Sequence, residues 1–220
     1  WSGDKYEKTE YGKATYVPSK VMIEKNVEQI HLCFTFKAPE RDSRHKYALA
    51  VLNTLFGGGM SSRLFQKIRE DEGLVYTIYS YTSAYSDTGV MTVYACTSPQ
   101  KAEAVIKSVF REIYAIKNEK IEDRIIDVTR EQIISNYIIG GESTAGRLTT
   151  NGGSMALTGK VPEVEEVLEQ MDRVDYASVK AALDEVFDPD NFSFSAVGNI
   201  EGIDIEGMMN DGKQILYSKN

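Results

Sequence analysis

An α+β fold, a mostly antiparallel sheet with helices packed on one face, is what this sequence predicts. Three observations point to it. Residues 29–37 (QIHLCFTFK) and 191–197 (NFSFSAV) alternate apolar and polar positions, the pattern of half-buried strands. Residues 76–83 and 90–97 are two further strand-like runs, joined by a turn holding Asp87 and Gly89, and read as a hairpin. Several consecutive segments between 98 and 187 then carry apolar residues at helical spacing. Runs of helices beside a hairpin suit helices laid on one face of an antiparallel sheet, not a regular βαβ alternation.

Taken in order, residues 1–28 are polar and tyrosine-rich, broken at Pro18, and read as a linker or edge segment. In the first strand Ile30, Leu32, Phe34 and Phe36 share one face, and Pro39 ends it. Asp42 or Ser43 is placed to cap a helix through Phe56, with Tyr47, Ala48, Val51, Leu52, Leu55 and Phe56 as its stripe. Gly57, Gly58 and Gly59 then permit a sharp turn or a close backbone approach. Ser61 and Ser62 are N-cap candidates for a short helix with Leu64, Phe65 and Ile68 inward and Gly73 as its stop. After the hairpin, Ser98-Pro99 opens a helix whose stripe is Ala102, Val105, Ile106, Val109, Ile113 and Ile116. A second long helix spans about 121–139 and is expected to stop at Gly140-Gly141. A third, over 143–156, is expected to be interrupted at Gly152-Gly153. A short helix follows Pro162, and Asp175 caps another before the closing strand. The chain reads as one domain over 29–200, with 201–220 as a C-terminal tail.

Composition bounds the function. With 220 residues, 42% hydrophobic and 26% charged, the chain can bury a substantial core. A net charge of -8 disfavours nucleic acid and anionic membrane as partners. No apolar run reaches the about 20 residues that cross a bilayer. Trp1-Ser2-Gly3-Asp4 shows no signal peptide, so a cytoplasmic location is expected; the absent initiator Met suggests a piece of something longer, from which a targeting segment can have been lost. Cys33 and Cys96 sit in apolar strand-like runs and read as buried thiols.

The stretch GGGMSSRLFQKIREDEGLVY, from Gly57 to Tyr76, resembles the C-terminal, zinc-free half of the pitrilysin/insulinase-type zinc metallopeptidases, and particularly their mitochondrial-processing-peptidase-like branch. The resemblance extends more weakly from about 29 to 198. It implies the half-molecule fold of that family. It also implies that Arg69 and Tyr76, seven residues apart, reach into a cleft to bind the substrate backbone and stabilise the tetrahedral intermediate, with Gly57, Gly58, Gly59 and Tyr79 near the peptide. The chemistry is sound, since a guanidinium offers a fork of donors to carbonyl oxygens and a phenol can donate to an oxyanion. Read without the resemblance, Arg69 complements a helix C-terminus, and Tyr76, Tyr79, Tyr81 and Tyr85 pack across strands. The glycines are not a phosphate loop, because no Gly-Lys-Ser/Thr follows them.

Zinc proteolysis needs clustered ligands and a base. The family supplies them through an H-x-x-E-H helix in its other half, and this chain has no such motif. Its two histidines read as a strand residue (His31) and a solvated residue in the first turn of a helix (His45), and no metal ligand is assigned. Alone, the chain is therefore not expected to hydrolyse peptides. The expected partners are a zinc-bearing N-terminal half, on this chain or a second one, an extended peptide, and a second copy of the chain. Two alternatives stay open. One is a non-catalytic structural or assembly protein of the same fold, as some core subunits of a respiratory complex are. The other is an unrelated α+β binding module.

Overall fold

The computed structural model describes residues 12–217. The start of the expected linker, 1–11, and the end of the expected tail, 218–220, lie outside the described residues. Five strands form one sheet in the order β1-β5-β2-β4-β3. These are β1 (Lys20–Glu24), β2 (Ile30–Ala38), β3 (Thr77–Ala84), β4 (Gly89–Thr97) and β5 (Phe192–Gly198). Only β1 runs parallel to its neighbour; β2, β3, β4 and β5 pair antiparallel, with Phe34 opposite both Val93 and Phe194.

Eight helices complete the described chain: α1 (Lys46–Gly57), α2 (Phe65–Asp71), α3 (Ala102–Asn118), α4 (Asp123–Glu142), α5 (Thr144–Thr158), α6 (Val164–Asp172), α7 (Tyr176–Val186) and α8 (Ile205–Tyr217). A single 3-10 turn, Pro99–Lys101, leads into α3. Helices α1, α3 and α7 lie against β3, β4 and β2, all on the face that holds Ile30, Leu32, Phe34 and Phe36. Phe34 sits at the centre of that layer, its ring 5.9 Å from Phe110 of α3 and 5.2 Å from Phe194 of β5. Such edge-to-face pairs add about 0.5–1.5 kcal/mol each to what burial contributes. The α+β class is thus the observed one, and the alternating strand residues are the reason.

Several local expectations about helix ends are not met. Helix α1 starts at Lys46, later than Asp42 or Ser43 would place it; residues 41–45 form turns, and the Ser43 hydroxyl accepts from the His45 amide within them. Gly140 and Gly141 do not stop α4, which continues to Glu142; Ser143 then caps α5 by accepting from the Gly146 backbone. Helix α5 runs unbroken through Gly152 and Gly153 to an αL stop at Gly159. Capping of α7 by Asp175 is as expected, in a reciprocal box with Ser178. Residues 205–217, to which periodicity gave no element, form α8. It packs on α3 so closely that a β-carbon at Gly212 would sit 2.2 Å from the Phe110 ring.

The other face of the sheet carries no core. His31, Cys33 and Thr35 of β2 share it with Tyr79 and Tyr81 of β3 and Tyr94 of β4. The segment before β1 is tied beside it. The Ala14 amide donates to Asp87 at 2.7 Å, and the Tyr16 hydroxyl lies 2.7 Å from Ser193 Oγ and 2.9 Å from the Thr35 carbonyl oxygen. Helix α5 is the outlier, for none of its side chains is buried.

Candidate functional site

Helix α1 ends on the glycine run. Gly57 is buried against β3, where a β-carbon would lie 2.6 Å from the Ser80 backbone nitrogen, so only glycine lets the helix end meet the strand. Ser80 donates from its hydroxyl to Asn53 Oδ1 at 2.9 Å and locks that approach. Gly58, Gly59 and Met60 turn outward, and Gln66 donates to the Met60 carbonyl at 2.7 Å. Together Gly57, Gly58, Gly59 and Tyr79 line one open cavity of about 380 Å³, with Met60, Phe65, Ile78 and Ser80. Sequence reasoning found the glycines and Tyr79 but not the apolar walls, Met60 and Phe65. It had placed Phe65 in the helix's inward stripe.

Arg63 and Leu64 begin the next helix, which widens to π winding over Phe65–Asp71, with the Glu72 amide bonded five residues back to Lys67. Such turns are rare and recur at functional sites. The expected serine cap is not made: the Ser62 hydroxyl is buried with no hydrogen-bond partner. Arg69 lies in the last turn, exposed, its guanidinium 4.6 Å above the Phe65 ring that walls the cavity. Among the described residues it has no hydrogen bond or ion pair. Gly73 adopts φ 59°, the left-handed stop its position predicts, and the Leu74 amide returns to the Ile68 carbonyl. Tyr76 stands one residue before β3, its amide donating to Cys96 and its ring 60% exposed. Neither Arg69 nor Tyr76 lines the glycine cavity itself: Arg69 stacks on its Phe65 wall, and Tyr76 stands just before β3.

The link from Arg69 to Tyr76 is held from outside. Thr97 donates to the Leu74 carbonyl at 2.5 Å, Lys101 donates to the Gly73 carbonyl at 2.8 Å, and Ser108 and Arg111 of α3 donate to the Glu72 carboxylate. At the other end of α2, Arg63 donates through Nε to Glu112 at 2.6 Å and through Nη1 to Glu119 at 2.7 Å. Burial works against the charge on Arg63, but the hydrogen bonds to Glu119 and Glu112 outweigh it and hold the guanidinium protonated more firmly than usual. None of these partners was legible locally, since each lies 23 to 56 residues away along the chain.

On the sheet's open face the His31 ring meets the Tyr94 hydroxyl at 2.7 Å, and the Tyr94 ring lies 5.0 Å from Tyr79. The Tyr94 phenol is pushed up to about 12, first by burial and then by the Cys96 thiol beside it. Cys96 is buried and donates to Gln29 Oε1 at 2.9 Å. Cys33, on the same open face, is only half-buried; burial pushes both thiols up. His45 is not simply solvated: it bonds Glu185 of α7 at 2.9 Å and so ties the start of α1 to that helix. Among the described residues no group of three His, Cys, Asp or Glu side chains could hold a metal ion, so these donors do not fit a zinc site. Nor is any described helix long and apolar enough to cross a membrane.

A family model described as "Peptidase M16 inactive domain" matches residues 4–133. The chain is 33% identical over 185 residues to the uncharacterized zinc protease YmxG of Bacillus subtilis (strain 168), covering 81% of this chain and 45% of that protein. Among solved structures, a protease from Helicobacter pylori superposes with a TM-score of 0.80 at 18% identity, over 89% of this chain and 48% of that one. A peptidase M16 inactive domain from Pseudomonas fluorescens gives 0.75 at 19% identity, over 87% and 46%. These structural likenesses establish the fold. The chain spans about half the length of each of these proteins.

Proposed function

Given that the chain belongs to the family of M16 peptidase inactive domains, we propose that it is the zinc-free half of a peptidase, completing an active site whose metal ligands lie in a second half. Arg69 binds carbonyl oxygens of an extended peptide. Tyr76 donates its phenolic proton to the oxyanion that develops on the cleaved carbonyl. The glycine cavity, walled by Met60, Phe65 and Tyr79, receives an adjoining stretch of the peptide. The observation that carries this reading is Arg69 itself, an exposed guanidinium with no acidic partner among the described residues. The neighbouring Arg63 and Arg111 are both paired to carboxylates. Leaving five donors free beside a cavity suits a group whose partner arrives with the substrate.

Pairing with a catalytic half is what an inactive half-domain implies. Zinc in that half, and peptide as the substrate, accord with relatives named as zinc proteases. The test is steady-state peptidase kinetics in the enzyme assembled with its zinc-bearing half. Tyr76→Phe is expected to lower kcat/KM by about 10²–10³, the loss typical of one oxyanion donor. Arg69→Ala is expected to lower it by about tenfold or more, as removal of a charge-assisted contact does. Zinc content and thermal unfolding should stay at wild-type values in both. Unchanged kinetics in both variants overturn the reading.

A further inference from the structure

We propose that α3 acts as a positioning clamp on the two candidate groups, with Arg111 and Glu112 as its jaws. The inference rests on the roles given above to Arg69 and Tyr76. Helix α2 is gripped at both ends by one face of α3. Upstream of Arg69, the Arg63 guanidinium bridges Glu112 and Glu119 at 2.6 and 2.7 Å. Downstream, Glu72 accepts from Ser108 and Arg111. Arg111 Nε also lies 3.7 Å from Glu112 Oε1, so the two grips join into one chain of alternating charge. Glu112 is the buried member, its side chain 7% exposed. Arg69, midway between the grips, is left out of the network.

The arrangement suits positioning better than stability alone. Helix α2 is a single short π-wound element of seven residues with few bonds of its own, so the direction of the Arg69 stem depends on where its two flanks are fixed. The same grip sets the start of the Gly73 turn and hence the approach of Tyr76 to β3. A displacement of about 1 Å in such a pair is enough to cost a large factor in rate.

The experiment uses the enzyme assembled with its zinc-bearing half, and variants placed on α3, whose side chains line no part of the glycine cavity. Arg111→Ala and Glu112→Gln are each expected to lower kcat/KM about tenfold, KM rising as Arg69 is displaced and kcat falling as Tyr76 is. In an Arg69→Ala/Tyr76→Phe background the same changes are expected to have less than about a twofold effect, because nothing remains to be positioned. An equal loss in both backgrounds overturns the clamp, as does no loss in the wild-type background. If Glu112→Gln fails to fold, Arg111→Ala, half-exposed at the surface, carries the test by itself. Silence of Arg69→Ala and Tyr76→Phe on their own overturns the reading of the site and the clamp with it.

Discussion

At the scale of single residues, the site separates groups that are satisfied within the protein from groups that are not. Arg63 and Arg111 both pair with carboxylates, Glu112 among them, whereas Arg69 and Tyr76 face solvent. The second kind was singled out through the family resemblance of the stretch from Gly57 to Tyr76, for local features alone read Arg69 as complementing a helix end and Tyr76 as cross-strand packing. The first kind was not, since ion pairs between α2 and α3 leave no periodic trace. Tyr94 offers a direct check on the open face. Its phenol titrates at about 12, above the ordinary value of about 10. The folded state thus holds this proton more tightly than the unfolded chain does. Its contribution to stability is complete below pH 10 and is lost as pH rises from 10 towards 12. Tyr217, hydrogen-bonded to Asp190 at 2.5 Å, is pushed up to about 12 as well. Ultraviolet phenolate titration of the folded protein should show a late component that shrinks in Tyr94→Phe. Uniform titration of every phenol near the ordinary value contradicts the burial argument.

At the scale of elements, the glycine run shows how much a motif hides. The three residues look equivalent in sequence, yet they differ in what surrounds them. A β-carbon at Gly57 collides with the Ser80 backbone, and one at Gly59 meets no atom within 4 Å. Gly57→Ala is therefore expected to cost about 1–3 kcal/mol and several degrees of Tm, as overpacking does. Gly59→Ala should stay within about 0.5 kcal/mol of wild type. Differential scanning calorimetry of the pair checks this, and equal Tm values would refute the close approach of α1 to β3. Strand alternation in β2 and β5, the hairpin, and the Asp175 cap were readable because a face or a cap is fixed by residues close in sequence. The π winding of α2 and the unbroken course of α5 through Gly152-Gly153 were not. Nothing in local propensity selects the first, and glycine merely weakens a helix by about 1 kcal/mol without ending it.

At the scale of the whole molecule, the sheet and its helices divide the chain unevenly. Helices α1, α3 and α7 share the core with the strands, and α8 closes over α3. Helix α5 stands apart, with Leu148 73% and Leu157 63% exposed and no side chain buried. A helix with no fully buried side chain draws most of its order from backbone hydrogen bonds, its end caps and light contacts with α4, such as Arg147 donating to the Gly141 carbonyl, which for fifteen residues is a marginal arrangement. Its amides should therefore trade protons for deuterons through small local openings, orders of magnitude sooner than those of β2, which open only when the sheet does. Slow exchange along α5 in the isolated chain would refute this account. Seen this way, the helix works as a gauge, since its exchange rate reports directly how little the rest of the fold lends it.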